Sequence, residues 1–295
     1  SAERRAVSYR HTLIPVNENC DPSRSAQPDI NKEDPGNMEG IWLNVARAPR
    51  DPASLFESRV TVFAGHFGSG KTELALNASI AAARAGHRTA LVDLDVVKPY
   101  FRSRSAQAVL AEHGVELVAP QGDLMTADLP VVCADVRVRL ADRAVKVFVD
   151  AGGNDVGVRA LSSVLDALPA QDASVLLVLN FRRPFTPDVP SAIAMARAIE
   201  GAARLKFTGV ISNTHLIRET TPSIVLEGYG KALEAASQMG LPLLAVSVEK
   251  PLAGEVQERE PSCPLLAVER FVRPPFEKKE PELKVRKGGP IFKMG

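Results

Sequence analysis

A doubly wound α/β fold, a mostly parallel sheet with helices on both faces, is predicted by three features of this sequence. From Arg59 onward, short β-branched runs alternate with Ala-rich stretches of helical period, the signature of repeated βα units. Most of the runs are continuously apolar, as strands are when helices cover both faces of their sheet. A glycine-rich turn, Gly65–Thr72, joins the first run directly to the first helical stretch. The chain has 295 residues, 45% hydrophobic and 24% charged, enough for one large or two small domains and unlike a disordered or fibrous protein.

Residues 1–58 carry Pro15, Pro22, Pro28, Pro35, Pro49 and Pro52 among scattered charges. They are expected to form a weakly structured arm, in which a short segment around Ile41–Val45 docks. The predicted strands are Val60–Ala64, Thr89–Leu94, Val115–Val118, Val145–Asp150, Ser174–Asn180, Gly209–Asn213 and Leu243–Val248. Helices are expected between them at Thr72–Ala85, Ser103–His113, Pro130–Arg143, Val158–Leu168, Asp188–Arg204 and Pro222–Met239. Gly86, Gly114 and Gly240 follow three of these, where a left-handed cap ends a helix. The domain is expected over residues 59–272, and a basic, Pro-rich tail over 273–295.

Composition narrows the function. Thirty-six Lys+Arg balance 35 Asp+Glu, so no overall field argues for nucleic acid or an acidic membrane. Cys20, Cys133 and Cys263 lie far apart, without the spacing of a disulfide scaffold or a zinc site, which fits a reducing, cytoplasmic setting. No run approaches the ~20 apolar residues of a membrane helix, so membrane insertion is not expected.

Gly65-His66-Phe67-Gly68-Ser69-Gly70-Lys71-Thr72 satisfies the P-loop pattern G-x-x-x-x-G-K-[ST] after a strand and before a helix. Such a loop curls backbone N–H groups around phosphate oxygens. The helix N-terminus adds positive potential, Lys71 reaches the β and γ phosphates, and Thr72 offers its hydroxyl to Mg2+. Hydrolysis needs further groups, and strand ends supply them. Asp93 and Asp95 stand at alternate positions where one strand leaves the sheet, on the same face. One is suited to metal-bound water and the other to the attacking water. Asp150 ends a second apolar strand and is followed by Gly152 and Gly153, the arrangement of a metal-binding carboxylate and a γ-phosphate sensor. Asn154, Asp155 and Gly157 would then belong to a loop that changes shape on hydrolysis. Asn213 ends a late strand, where its amide is placed to pair with a nucleobase. A guanine reader of the Asn-Lys-x-Asp kind has an acid three residues on; here that residue is Leu216, which favours adenine. Asn180 is a second strand-end Asn, and the loop Phe181-Arg182-Arg183-Pro184 that follows it reads as rim or partner surface.

In this order, the P-loop, the Asp-x-Asp strand, the Asp-Ala-Gly-Gly loop and the late Asn resemble the SIMIBI class of P-loop ATPases, closest to the MinD/ParA/CobQ–CobB nucleotide-binding family. The resemblance spans about residues 59–250. It implies the P-loop NTPase fold, Mg-ATP as ligand, slow ATP hydrolysis, and a homodimer closing with nucleotide at its interface. By it Asp95 matches the residue orienting the attacking water, Asp93 an outer-sphere metal ligand and Asp150 the second-strand carboxylate. One departure is His66, which stands where MinD- and ParA-like members carry a signature Lys reaching the partner's phosphates. An imidazole is not a permanent cation, and Arg102 or Arg104 is a candidate replacement. Iron–sulfur and metal-inserting members place cysteines at the dimer interface, for which only Cys133 is a candidate.

Two readings follow. The first is an ATP-driven switch acting on a protein client. The second is a small-molecule enzyme that activates a carboxylate with ATP, with Tyr100, Arg102, Arg182 and Arg183 lining its substrate pocket. A DNA-partitioning role would need a basic face and the missing Lys, and nucleic acid is not an expected partner.

Overall fold

The computed structural model describes residues 55–94, 107–119, 129–153, 160–169, 171–260 and 262–271. The chain divides into two units, Ser1–Asn44 and Val45–Gly295, and every described residue lies in the second. Its frame is one eight-stranded sheet. In chain order the strands are β1 Val60–Ala64, β2 Thr89–Asp93, β3 Val115–Val118, β4 Lys146–Asp150, β5 Ala173–Leu179, β6 Gly209–Ser212, β7 Leu243–Glu249 and β8 Leu265–Val268. They lie in the order β3-β2-β4-β1-β5-β6-β7-β8, every neighbouring pair parallel. The predicted doubly wound sheet is therefore present, with the P-loop strand β1 at its middle.

Alternation along the strands sorts their side chains into two cores. Val60, Val62, Val92, Val147 and Val149 face one side, packed with residues of α3 (Val189–Ala203), α4 (Pro222–Met239) and α5 (Lys250–Arg259). On that side α2 (Leu129–Ala141) adds Val136 and Leu140. Phe63, Leu91, Phe148 and Val178 face the other, beneath α1 (Lys71–Arg84) and Leu110 of the helical turn 107–112. Phe56 closes this second core, edge-on to Phe63 at 5.4 Å and to Phe148 at 6.1 Å between ring centroids. Ordered packing thus begins before Arg59.

Two elements were not legible in the sequence. α5 carries mostly charged and small residues, with Val256 its one fully buried side chain, and β8 is four residues long between Pro264 and the charged Glu269-Arg270. The expected helix Val158–Leu168 is, within the described residues, a single turn at 160–162 and a 3-10 turn at Leu165–Ala167. Past β8 the chain returns to α1: Asn77 Nδ2 donates to the Glu269 carbonyl and Asn77 Oδ1 accepts from the Glu269 N–H, both at 2.8 Å. Glu73, in the first turn of α1, accepts the N–H of Phe271. Among the described residues no helix is long and apolar enough to cross a membrane.

Phe148 is fully buried and touches both other rings, so Phe148→Ala is expected to remove about 3–5 kcal/mol of stability. Urea unfolding checks this; a loss under about 1 kcal/mol would mean that the site collapses around the cavity.

Candidate functional site

The site is built where β1 turns into α1. Gly70 caps the helix with φ 89°, and no side chain caps its N-terminus. Gly70 offers the helix start no capping side chain of its own, an arrangement found where a helix N-terminus receives an anion. Lys71 is 7% exposed, and its Nζ arches back over the loop to donate to the His66 carbonyl at 3.0 Å. Ser69 Oγ is buried with no hydrogen-bond partner among the described residues. A hydroxyl sealed in this way costs free energy unless a ligand or water engages it.

Two carboxylates stand on one side of this loop. Asp93 and Asp150 end β2 and β4 in register with one another, and Asp150 is 3% exposed. Leu91 and Phe148, two residues earlier, belong to the core beneath α1, so both acids share the face on which α1 and Thr72 lie. Like charges at neighbouring register positions favour a cation between them. Among the described residues no cluster of three or more His, Cys, Asp or Glu forms a metal cage. Two carboxylates and the Thr72 hydroxyl are an oxygen-only set, which suits Mg2+ because that ion takes one or two carboxylates and completes its shell with water and phosphate oxygens. Gly153, after the same strand, lies against the P-loop: a Cβ there would sit 2.5 Å from the Phe67 nitrogen. Gly152 and Gly153 are thus brought to the loop, while Asp95, Tyr100, Arg102, Arg104, Asn154, Asp155 and Gly157 lie outside the described residues, as does the side chain of Cys133.

Hydrogen-bond donors occupy the other side. Asn213 Nδ2 donates to the Ser69 carbonyl at 2.7 Å, and its Oδ1 accepts from Ser247 on β7. The amide expected to meet a base is therefore first a tether of the P-loop, with one Nδ2 hydrogen left over. Before the loop that follows β5, Asn180 is 1% exposed: its Nδ2 donates to the carbonyls of Gly68 (3.4 Å) and His215 (3.3 Å), and its Oδ1 accepts from the N–H groups of Arg182 and His215. Arg183 Nε donates to the Gly68 carbonyl at 2.9 Å, and Arg182 pairs with Glu227. Two arginines assigned to an organic-substrate pocket are thus engaged within the protein. Sequence reasoning missed this coupling of the β5 loop to the P-loop; the signal was a second strand-end Asn.

The His66 ring lies against Phe185, itself 68% exposed, with centroids 4.6 Å apart and planes tilted by 32°. His215 is pushed down to about 4 by burial, with Arg183 and Arg270 opposing its proton. It stays neutral, and its Nδ1 accepts the N–H of Ile217 at 3.3 Å.

A model of the CobQ/CobB/MinD/ParA nucleotide binding domain matches residues 60–246. Solved structures similar to the chain include the signal recognition particle 54 kDa protein of Aeropyrum pernix K1 in complex with GDP (18% identity, 64% of this chain and 41% of that one, TM-score 0.45). Chloroplast FtsY of Physcomitrella patens matches at 19% identity over 70% of this chain and 64% of its own (TM-score 0.45). The kinase domain of the Escherichia coli tyrosine kinase ETK matches at 16% identity over 56% and 71% (TM-score 0.40). The chain thus spans less than two thirds of the first two. None of the curated proteins matches it in sequence.

A histidine whose pKa falls on folding takes up its proton first in the unfolded chain. His215 therefore contributes stability that is complete above 6.5 and is lost as pH falls through 6.5 toward about 4. NMR titration is expected to give a His215 midpoint near 4, and a midpoint near 6.5 would mean a solvated ring.

Proposed function

We propose a nucleotide-dependent function on one premise: the chain belongs to the CobQ/CobB/MinD/ParA nucleotide binding domain family. In this reading the protein binds Mg-ATP, hydrolyses it slowly and uses the cycle to switch a protein client, with a homodimer as its closed form. The supporting observation is the start of α1, which has no side-chain cap and sits beneath Lys71 with two in-register carboxylates on its face. Leu216, where a guanine reader has an acid, supports ATP over GTP.

The chemistry then divides among the chain's own residues. The P-loop N–H groups and the α1 N-terminus hold the β and γ phosphates, and Lys71 exchanges the His66 carbonyl for them. Thr72 and Asp150, with Asp93 through water, would hold Mg2+, which supplies charge neutralisation on the phosphate oxygens. Asp95 orients the attacking water, and Gly153 offers its N–H to the γ phosphate, a position that its contact with Phe67 supports. Closure of the Gly152–Gly153 loop on the γ phosphate is the switching step.

Lys71→Ala is expected to abolish ATP binding, whereas Asp95→Ala keeps binding and loses turnover by about a hundredfold or more. Equal loss of binding in both would remove the assigned roles. Light scattering on Asp95→Ala is expected to show mass doubling with Mg-ATP; an unchanged mass argues against the dimer switch and turns the search to metabolite carboxylates as substrates.

Gly153→Ala places a methyl against the P-loop backbone. It is expected to weaken ATP binding at least tenfold while leaving the urea midpoint nearly unchanged, and wild-type affinity would show that the contact yields at little cost.

A further inference from the structure

Carboxylates and donors sort to opposite sides of the P-loop. Asp93 and Asp150 end β2 and β4 on one side of β1, whereas Asn180, Arg183, Asn213 and His215 follow β5 and β6 on the other. A triphosphate seated on α1 with its metal-binding end at the carboxylates therefore extends its nucleoside over the ends of β5 and β6.

On that side one guanidinium is tethered but not ion-paired. Among the described residues the Arg183 side chain makes one hydrogen bond, from Nε to the Gly68 carbonyl, and no carboxylate among them pairs with it. Four of its five N–H donors are thus unspent. The bond fixes the position of the guanidinium, and the Nε would lie 3.1 Å from a Cβ on Gly68, so the group is held against the loop itself. Asn213 Nδ2 and His215 Nε2 border the next turn of the same loop, 2.0 and 3.3 Å from where a Cβ on Gly70 would stand. Arg183, Asn213 and the neutral His215 therefore line one margin of the P-loop, a margin with donors and a flat cation but no carboxylate of its own.

We propose that Arg183 is one wall of the nucleobase subsite: tethered through Nε to the Gly68 carbonyl, its guanidinium plane stacks on a purine whose acceptor edge meets the Asn213 amide. The inference rests on the nucleotide-binding reading above and adds the residue that recognises the base. Guanidinium planes stack on nucleobases, and the spare Nδ2 hydrogen of Asn213 suits N7, an acceptor that adenine and guanine share. The subsite thus selects for a purine ring system.

Calorimetric affinities of Mg-ATP and of magnesium with inorganic tripolyphosphate, which has no base, separate the two readings. Lys71→Ala is expected to lose both ligands. Arg183→Ala removes one of two donors at the Gly68 carbonyl and leaves the Asn180 one, so it is expected to weaken tripolyphosphate modestly and ATP by about tenfold or more beyond that loss. Arg183→Lys keeps a donor and a charge but not the plane, so it is expected to bind tripolyphosphate normally without recovering ATP. Three outcomes overturn the inference: parallel loss of both ligands in Arg183→Ala, which makes Arg183 a tether or phosphate contact; no loss of either; and full recovery of ATP in Arg183→Lys, which makes charge the cause. If the wild-type protein binds neither ligand, the nucleotide reading fails and takes the inference with it.

Discussion

The P-loop has no room for a side chain on either flank, and the site depends on that constraint. Gly153 presses on the backbone of His66 and Phe67 from the β4 side, and Gly70 meets the amide of Asn213 from the β6 side. A Cβ on Gly153 would displace the loop backbone, and one on Gly70 would displace the Asn213 side chain that tethers the loop. The second contact is also a hydrogen-bonded one, running from Ser247 on β7 through Asn213 to the Ser69 carbonyl. Asn180 and Arg183 add two donors at the Gly68 carbonyl. Side chains thus hold the Gly68 and Ser69 carbonyls, which restrains the geometry of the loop.

This arrangement explains why some of the site was legible and some was not. A P-loop has to place glycines, Lys and Thr at fixed local spacing, so Gly65–Thr72 declares itself in eight consecutive letters. Asp93 and Asp150 were visible because each ends an apolar run, and parallel pairing then brings two such ends into register. Asn180 and Arg183 act on Gly68 from 112 and 115 residues away, and their acceptor is a backbone carbonyl, which leaves no mark on the sequence. The same limit hid the closing elements of the fold. β8 is apolar but only four residues long, and α5 buries one residue fully, so neither shows the period that marks the longer elements.

The asymmetry of the site bears on the missing signature lysine. His66 lies against Phe185 in a tilted ring contact, so the position that carries a reaching cation in MinD- and ParA-like proteins is here part of an aromatic pair. Phe67 and Phe185 are both exposed beside it, at 48% and 68%. Arg183 is held at the Gly68 carbonyl and, in the proposed subsite, serves the base rather than the γ phosphate. In the proposed reaction Lys71, whose Nζ lies at the His66 carbonyl, is the cation assigned to the transferring phosphoryl group. Phosphoryl transfer spreads charge over three equatorial oxygens, and an added arginine accelerates it by roughly three to five orders of magnitude. In the proposed reaction a single lysine makes for slow turnover. In this reading a second cation is assigned to Arg102 or Arg104, which follow Asp93 in the sequence, or to a partner chain, and a site completed by an added cation is one whose turnover a partner can switch.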